Sequence, residues 1–173
     1  VYDEEIGCRV HLGFRNQADR ILDDIVPLLV ANDDDSNKRT TIEVSGHSLG
    51  GAVAFLVAAK LRKRGYPVVR VTSVAAPRFC ATAASALILE SLLPKDNLQI
   101  ENDTDVVPYL PPFGHNVGNK LYLIDASGAM AYIRSSADSN NNRWWWVNSV
   151  FVNFRAWELL VGRGQPHRMP YYV

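Results

Sequence analysis

Apolar and polar positions change period several times along the chain, and each change marks an expected element. From Ala18 to Val30 the apolar residues Ala18, Ile21, Leu22, Ile25, Leu28 and Leu29 recur at three- and four-residue steps, the spacing of one helix face. The polar run Asn32-Asp33-Asp34-Asp35-Ser36-Asn37 has no period and is rich in turn formers, so a solvated loop is expected there. Thr40 to Val44 then alternates β-branched with polar residues, as a half-buried strand does. After Ser48 the Ala- and Leu-rich stretch from Gly50 to Arg64 reads as a helix ended by Gly65. Val68 to Val74 is a further strand, Ala81 to Leu93 a helix halted by Pro94, and Leu98 to Glu101 a short strand. Leu121 to Asp125 and Met130 to Ile133, separated by Ala126-Ser127-Gly128-Ala129, predict a hairpin or meander at the far side. Strands alternating with helices imply an α/β fold with a mainly parallel central sheet flanked by helices.

Composition narrows this picture. A chain of 173 residues, 47% hydrophobic and 21% charged, suits one domain around one core. Eighteen basic residues balance eighteen acidic ones, and no basic stripe is interleaved with aromatics, so no nucleic-acid partner is expected. Cys8 and Cys80 stand far apart and leave the compartment undecided, and nothing specifies the oligomeric state. No apolar run approaches the roughly 20 residues that span a bilayer. With no starting Met and no leader, the chain reads as a mature or truncated fragment.

The chemistry concentrates at Gly46-His47-Ser48-Leu49-Gly50. A serine in Gly-x-Ser-x-Gly, between a strand and a helix, sits on a strained turn with its hydroxyl exposed, and the glycines remove side chains that would collide with nearby backbone. Thr41 to Val44 supplies the strand and Gly50-Gly51-Ala52-Val53-Ala54 the helix start. The helix N-terminus then faces the site, with the Leu49 backbone N–H placed to stabilise an oxyanion. His47, next to Ser48 in a tight turn, cannot easily aim its ring at the hydroxyl and reads as structural. No His, Cys and carboxylate cluster has metal-ligand spacing, so neither a metal nor an organic cofactor is expected.

The segment Val44-Ser45-Gly46-His47-Ser48-Leu49-Gly50-Gly51-Ala52 resembles the nucleophile segment of class 3 lipases, a family of the α/β-hydrolase fold. Val10-His11-Leu12-Gly13-Phe14 is similar to the family's Val-His-x-Gly-Phe, and Ala75-Ala76-Pro77-Arg78 to its Gly-x-Pro-Arg turn, with Ala75 in place of glycine. Asn102 to Pro111 resembles the acid segment, and Phe113-Gly114-His115-Asn116-Val117-Gly118 the turn that follows. The resemblance implies hydrolysis of acyl esters, with triacylglycerol as first choice of substrate and a phospholipase A1 or other acyl esterase as alternatives. A non-catalytic, lipase-like interaction module is the alternative of another class. In the family an upstream strand supplies the second oxyanion donor and is followed by a lid. Both precede Val-His-x-Gly-Phe, so the resemblance implies an N-terminally truncated domain lacking them, with weakened activity.

Serine needs an imidazole to take its proton and a carboxylate to orient that imidazole. In this fold the chain order is serine, acid, histidine, which eliminates His11. Asp105 matches the family's acid before Val-Pro, with Asp103 in the same loop as competitor. Of the two later histidines, His167 in Gln165-Pro166-His167-Arg168-Met169-Pro170-Tyr171-Tyr172 is similar to the family's late His-x-Met-x-x-Tyr and is the expected base. His115 is the competitor, and the resemblance gives it a supporting role. Finally, Trp144, Trp145 and Trp146 begin a stretch, through Leu160, that is apolar around much of a helix. Packing against the rest of the fold is the ordinary reading of that surface, and contact with a lipid interface the alternative.

Overall fold

A computed structural model describes residues 1–31, 41–102, 105–123 and 131–134. Two short antiparallel strands, β1 (Tyr2–Asp3) and β2 (Cys8–Arg9), precede helix α1 (Leu12–Ala31). Next come β3 (Ile42–His47), α2 (Leu49–Lys63), β4 (Val68–Val74), α3 (Ala83–Leu92), β5 (Asp96–Asn102), a 3₁₀ turn (Val107–Tyr109), β6 (Asn119–Leu123) and β7 (Ala131–Arg134). Strands β3 to β7 form one sheet in sequence order. The pairs from β3 to β6 are parallel and β7 is antiparallel to β6. The expected hairpin is therefore present, appended to a four-stranded parallel sheet. The mainly parallel α/β sheet expected from the alternation of strands and helices is thus observed.

Stepping sideways in one direction at each right-handed crossover places α2 and α3 on the same face. Helix α2 lies between the sheet and α1, and every residue from Gly51 to Leu61 is buried. Small residues at Gly51, Ala52, Ala54, Ala58 and Ala59 let it sit close, while Phe55, Leu56 and Leu61 fill the space against Leu22, Val71, Phe79 and Leu89. Lys60 falls within that buried run because acids surround it. Its ammonium lies 2.7 Å from Asp3 Oδ2 and 3.6 Å from Glu5 Oε2, and it also donates to Asp19 Oδ1. These contacts tie α2 to α1 and to the turn between β1 and β2.

Element ends differ from the periodicity in instructive places. Helix α1 begins six residues before the apolar repeat, because His11 organises its start: His11 Nδ1 accepts from Gly13 N and its carbonyl from Arg15 N. Helix α3 starts at Ala83 after Thr82, whose hydroxyl accepts from Ser85 N. Strands β3 and β5 each run past their alternating segments, since parallel pairing to β4 satisfies their backbone whatever the side chains. No helix among the described residues is long and apolar enough to cross a membrane. The expected loop at Asn32 to Asn37, Asp103, the Trp144 to Leu160 stretch and His167 lie outside the described residues.

Candidate active site

Because β3, β4 and β5 run parallel in register, the segments leaving their carboxyl ends gather at one sheet edge. Ser48 follows β3, Ala75 to Arg78 follows β4, and Asp105 follows β5. Ser48 takes φ 55° and ψ −126°, which an L-residue adopts only when its surroundings impose it. Its amide donates to the Val74 carbonyl at 2.8 Å, and its own carbonyl accepts from Gly51 N at 2.9 Å as α2 begins. The serine is thus pinned between two elements, half-buried, with the first turn of a helix beginning at Leu49. The Leu49 N–H stands outside the intrahelical ladder, as the first N–H groups of any helix do.

The glycines of this turn do not share the work equally. A Cβ on Gly46 would meet Gly50 O at 2.1 Å and Gly51 N at 2.8 Å. One on Gly51 would meet Ser73 Oγ at 2.5 Å and Ala76 Cβ at 3.0 Å. At Gly50, by contrast, nothing among the described residues comes within 4 Å. The close approach is therefore made at Gly46 and Gly51. The second glycine of the five-residue pattern is not required by packing.

Asp105 is fully buried, and its Oδ1 accepts from Val107 N at 2.9 Å while its amide donates to Asn102 O at 3.0 Å. The turn thus presents a carboxylate just beyond the end of β5. A second buried carboxylate, Glu101, is held differently: Lys120 Nζ lies 2.9 Å and Gln99 Nε2 2.7 Å from the same Oε1. The alternation Gln99, Glu101 gave no sign in the sequence that both side chains would be buried.

His47 ends β3 opposite Val74 and is half-buried. His115 lies on the loop after Asp105, fixed by a two-way backbone exchange with Cys80, His115 N to Cys80 O at 2.9 Å and Cys80 N to His115 O at 3.0 Å. Desolvation and then the nearby Arg78 charge hold its imidazole below the usual histidine pKa, favouring the neutral form. His11 starts α1, its amide bonded to Phe79 O. Among the described residues no group of three or more His, Cys, Asp or Glu is arranged to hold a metal ion. A strained serine at a helix N-terminus and a buried carboxylate past the next strand but one are two parts of the set that nucleophilic acyl transfer requires.

Comparisons with known proteins bear on the same segment. The family model described as Lipase (class 3) matches residues 2–115. The secreted mono- and diacylglycerol lipase A of Penicillium camembertii is 36% identical over 108 residues, covering 61% of this chain and 33% of that protein. The secreted mono- and diacylglycerol lipase 1 of Fusarium solani is 32% identical over 121 residues, covering 69% of this chain and 35% of that protein. Among solved structures, the Rhizomucor miehei triacylglyceride lipase superposes with a TM-score of 0.62 at 25% identity, over 79% of this chain and 55% of that one. A lipase from Rhizopus microsporus var. chinensis gives 0.60 at 27% identity, over 73% and 45%. The chain spans about a third of the length of the two Penicillium and Fusarium relatives.

Proposed function

This chain belongs to the class 3 lipase family, and from that premise we propose that it carries the catalytic serine of a carboxylester hydrolase acting on acyl esters of glycerolipids. The observation that carries the reading is the backbone of Ser48, held at φ 55° between the end of β3 and the first residue of α2. In this reading Ser48 attacks the ester carbonyl while His167 takes its proton, Asp105 orients the imidazole and stabilises its charge, and the Leu49 N–H receives the developing oxyanion. The alcohol leaves with the proton, and water then releases the acid from the acyl-enzyme. Gly46 permits the tight turn, while His47 and His115 support the site. The likeness to lipases named for mono- and diacylglycerols places partial glycerides beside triacylglycerol as substrates to test.

A fluorophosphonate probe tests the nucleophile, with Ser48→Ala as control, and emulsified tri- and diacylglycerols beside a p-nitrophenyl ester series test the substrate. Labelling that requires Ser48, with turnover of long-chain glycerides, supports the reading. Absence of an adduct favours a non-catalytic module, and activity confined to short soluble esters makes it an esterase. Lipid contact is proposed through Trp144, Trp145 and Trp146 and through Phe113, which is 86% exposed on the loop after Asp105.

A further inference from the structure

The segment from Val74 to Cys80 touches both halves of the site. At one end the Val74 carbonyl holds the Ser48 amide at 2.8 Å. At the other, Arg78 meets the loop that returns from Asp105 in four ways. Its amide donates to Leu110 O at 2.6 Å, and its Nη1 donates to Pro112 O at 3.1 Å. Its guanidinium lies 5.9 Å from the centre of the Tyr109 ring, and its Cβ occupies the space where a side chain on Gly114 would stand, 2.7 Å from an ideal Cβ there.

The loop is also held by bonds within its own stretch. Asp105 bonds to its sequence neighbours Asn102 and Val107, and the 3₁₀ turn is local. The loop is tied down again at the backbone exchange of His115 with Cys80, two residues from Arg78. Within the loop, Asn116 Nδ2 also reaches Pro108 O. Arg78 is half-buried; desolvation lowers its pKa, and the field of buried Glu101 works the other way. A planar cation bonded to one carbonyl and laid near a ring fixes direction as well as distance.

We propose that Arg78 is a positioning residue that sets the carboxylate of Asp105 relative to Ser48 by clamping the loop from Tyr109 to Pro112. The inference rests on the reading of Asp105 as the acid. In this proposal Arg78 acts through Asp105 and not on the substrate itself.

The test is a double-mutant cycle on p-nitrophenyl butyrate hydrolysis, using Arg78→Ala and Arg78→Lys in the native and Asp105→Asn backgrounds, with melting curves for each. In the native background Arg78→Ala is expected to lower kcat about tenfold or more with KM little changed. The acidic limb of the pH profile moves to lower pH by about half a unit or more, because an imidazolium that loses its carboxylate is easier to deprotonate. In Asp105→Asn the same change is expected to cost less than about twofold. Arg78→Lys keeps the stem and the charge without the fork and should fall between, which keeps the test decisive if the alanine variant does not fold. Equal losses in both backgrounds, or a native-background loss with an unmoved acidic limb, overturn the role of Arg78. If the unsubstituted protein is neither labelled at Ser48 nor active, the hydrolase reading fails, and this inference fails with it.

Discussion

Gly46→Ala places one methyl group at the tightest point of the nucleophile turn. The added Cβ would stand 2.1 Å from Gly50 O and 2.4 Å from Gly50 C, both backbone atoms. Neither can rotate away, so the chain must open by about 0.9 Å merely to reach 3.0 Å, the lower edge of real contacts. Forcing a methylene-sized group into a packed site costs roughly 1–3 kcal/mol of stability. Opening the turn also moves Ser48 relative to α2, and a misplacement of about 1 Å is worth on the order of a hundredfold in rate, near 2.7 kcal/mol. Gly50→Ala is the matched control, since nothing among the described residues obstructs it, and a helical alanine replaces glycine at no propensity cost. The assay is kcat on p-nitrophenyl butyrate, with melting curves to show that each variant is folded at the assay temperature. Gly46→Ala within threefold of the parent, or Gly50→Ala equally damaged, would refute the argument that close backbone approach at Gly46 shapes the site.

Ser48→Ala or His167→Ala should each reduce turnover by on the order of a thousandfold or more while the fold persists, measured by hydrolysis beside circular dichroism. Lys60→Ala leaves buried Asp3 without its ammonium and should cost about 3 kcal/mol, the low end of the range for breaking a buried pair, because Asp3 Oδ1 still accepts from Glu5 N and Ile6 N. Burial lowers the Lys60 pKa, but hydrogen bonds to Asp19 and Asp3 raise it further, so the contribution is full below 10.5 and fades as pH rises through the higher folded value; an advantage over Lys60→Ala that vanished at neutral pH would sink this reading. Glu5 is shifted the other way: its hydrogen bond from Arg64 outweighs desolvation and lowers its pKa. The stability gap to Glu5→Gln should therefore stay open above pH 4.5 and close as pH falls through the lower folded value, as acid melts of both proteins would reveal. In liposome co-sedimentation, Phe113→Ser or serine at Trp144 to Trp146 should weaken binding, and unchanged pelleting would refute lipid contact through those residues.

Much of the fold was legible because periodicity and chain direction are local. Val68 to Val74 forms β4 over the very residues its β-branched run predicts, and α2 departs by one residue at each end from the Gly50 to Arg64 stretch. Less local features were not legible. Strands β1 and β2 are two residues each and exist because they pair with one another and because Val10 bridges to Cys80. Lys60 is one of four basic residues between positions 60 and 64, yet in the structure it is the centre of an ion network drawn from β1, its following turn and α1. Arg78 stood out only as part of a motif, and its contacts with Leu110, Pro112 and Tyr109 lie more than thirty residues away.

Ala75 shows the division within one residue. Alanine here replaces the glycine of the resembling turn, and the structure holds it at φ 54°, fully buried, with its amide on Ile100 O. The substitution was visible in the sequence, but the strain it carries was not, since φ is set by the carboxyl end of β4 meeting β5. The same holds at the serine. By itself the sequence determined the α/β alternation and the strand-serine-helix turn at Ser48, because these depend on neighbours within a few positions. Only the tertiary structure decided that parallel register brings Ser48 and Asp105 to one sheet edge, and that Gly46 and Gly51, with Gly50 left in open space, make the close approach at the nucleophile turn. Those outcomes depend on distances between segments remote in the chain, which no local pattern encodes.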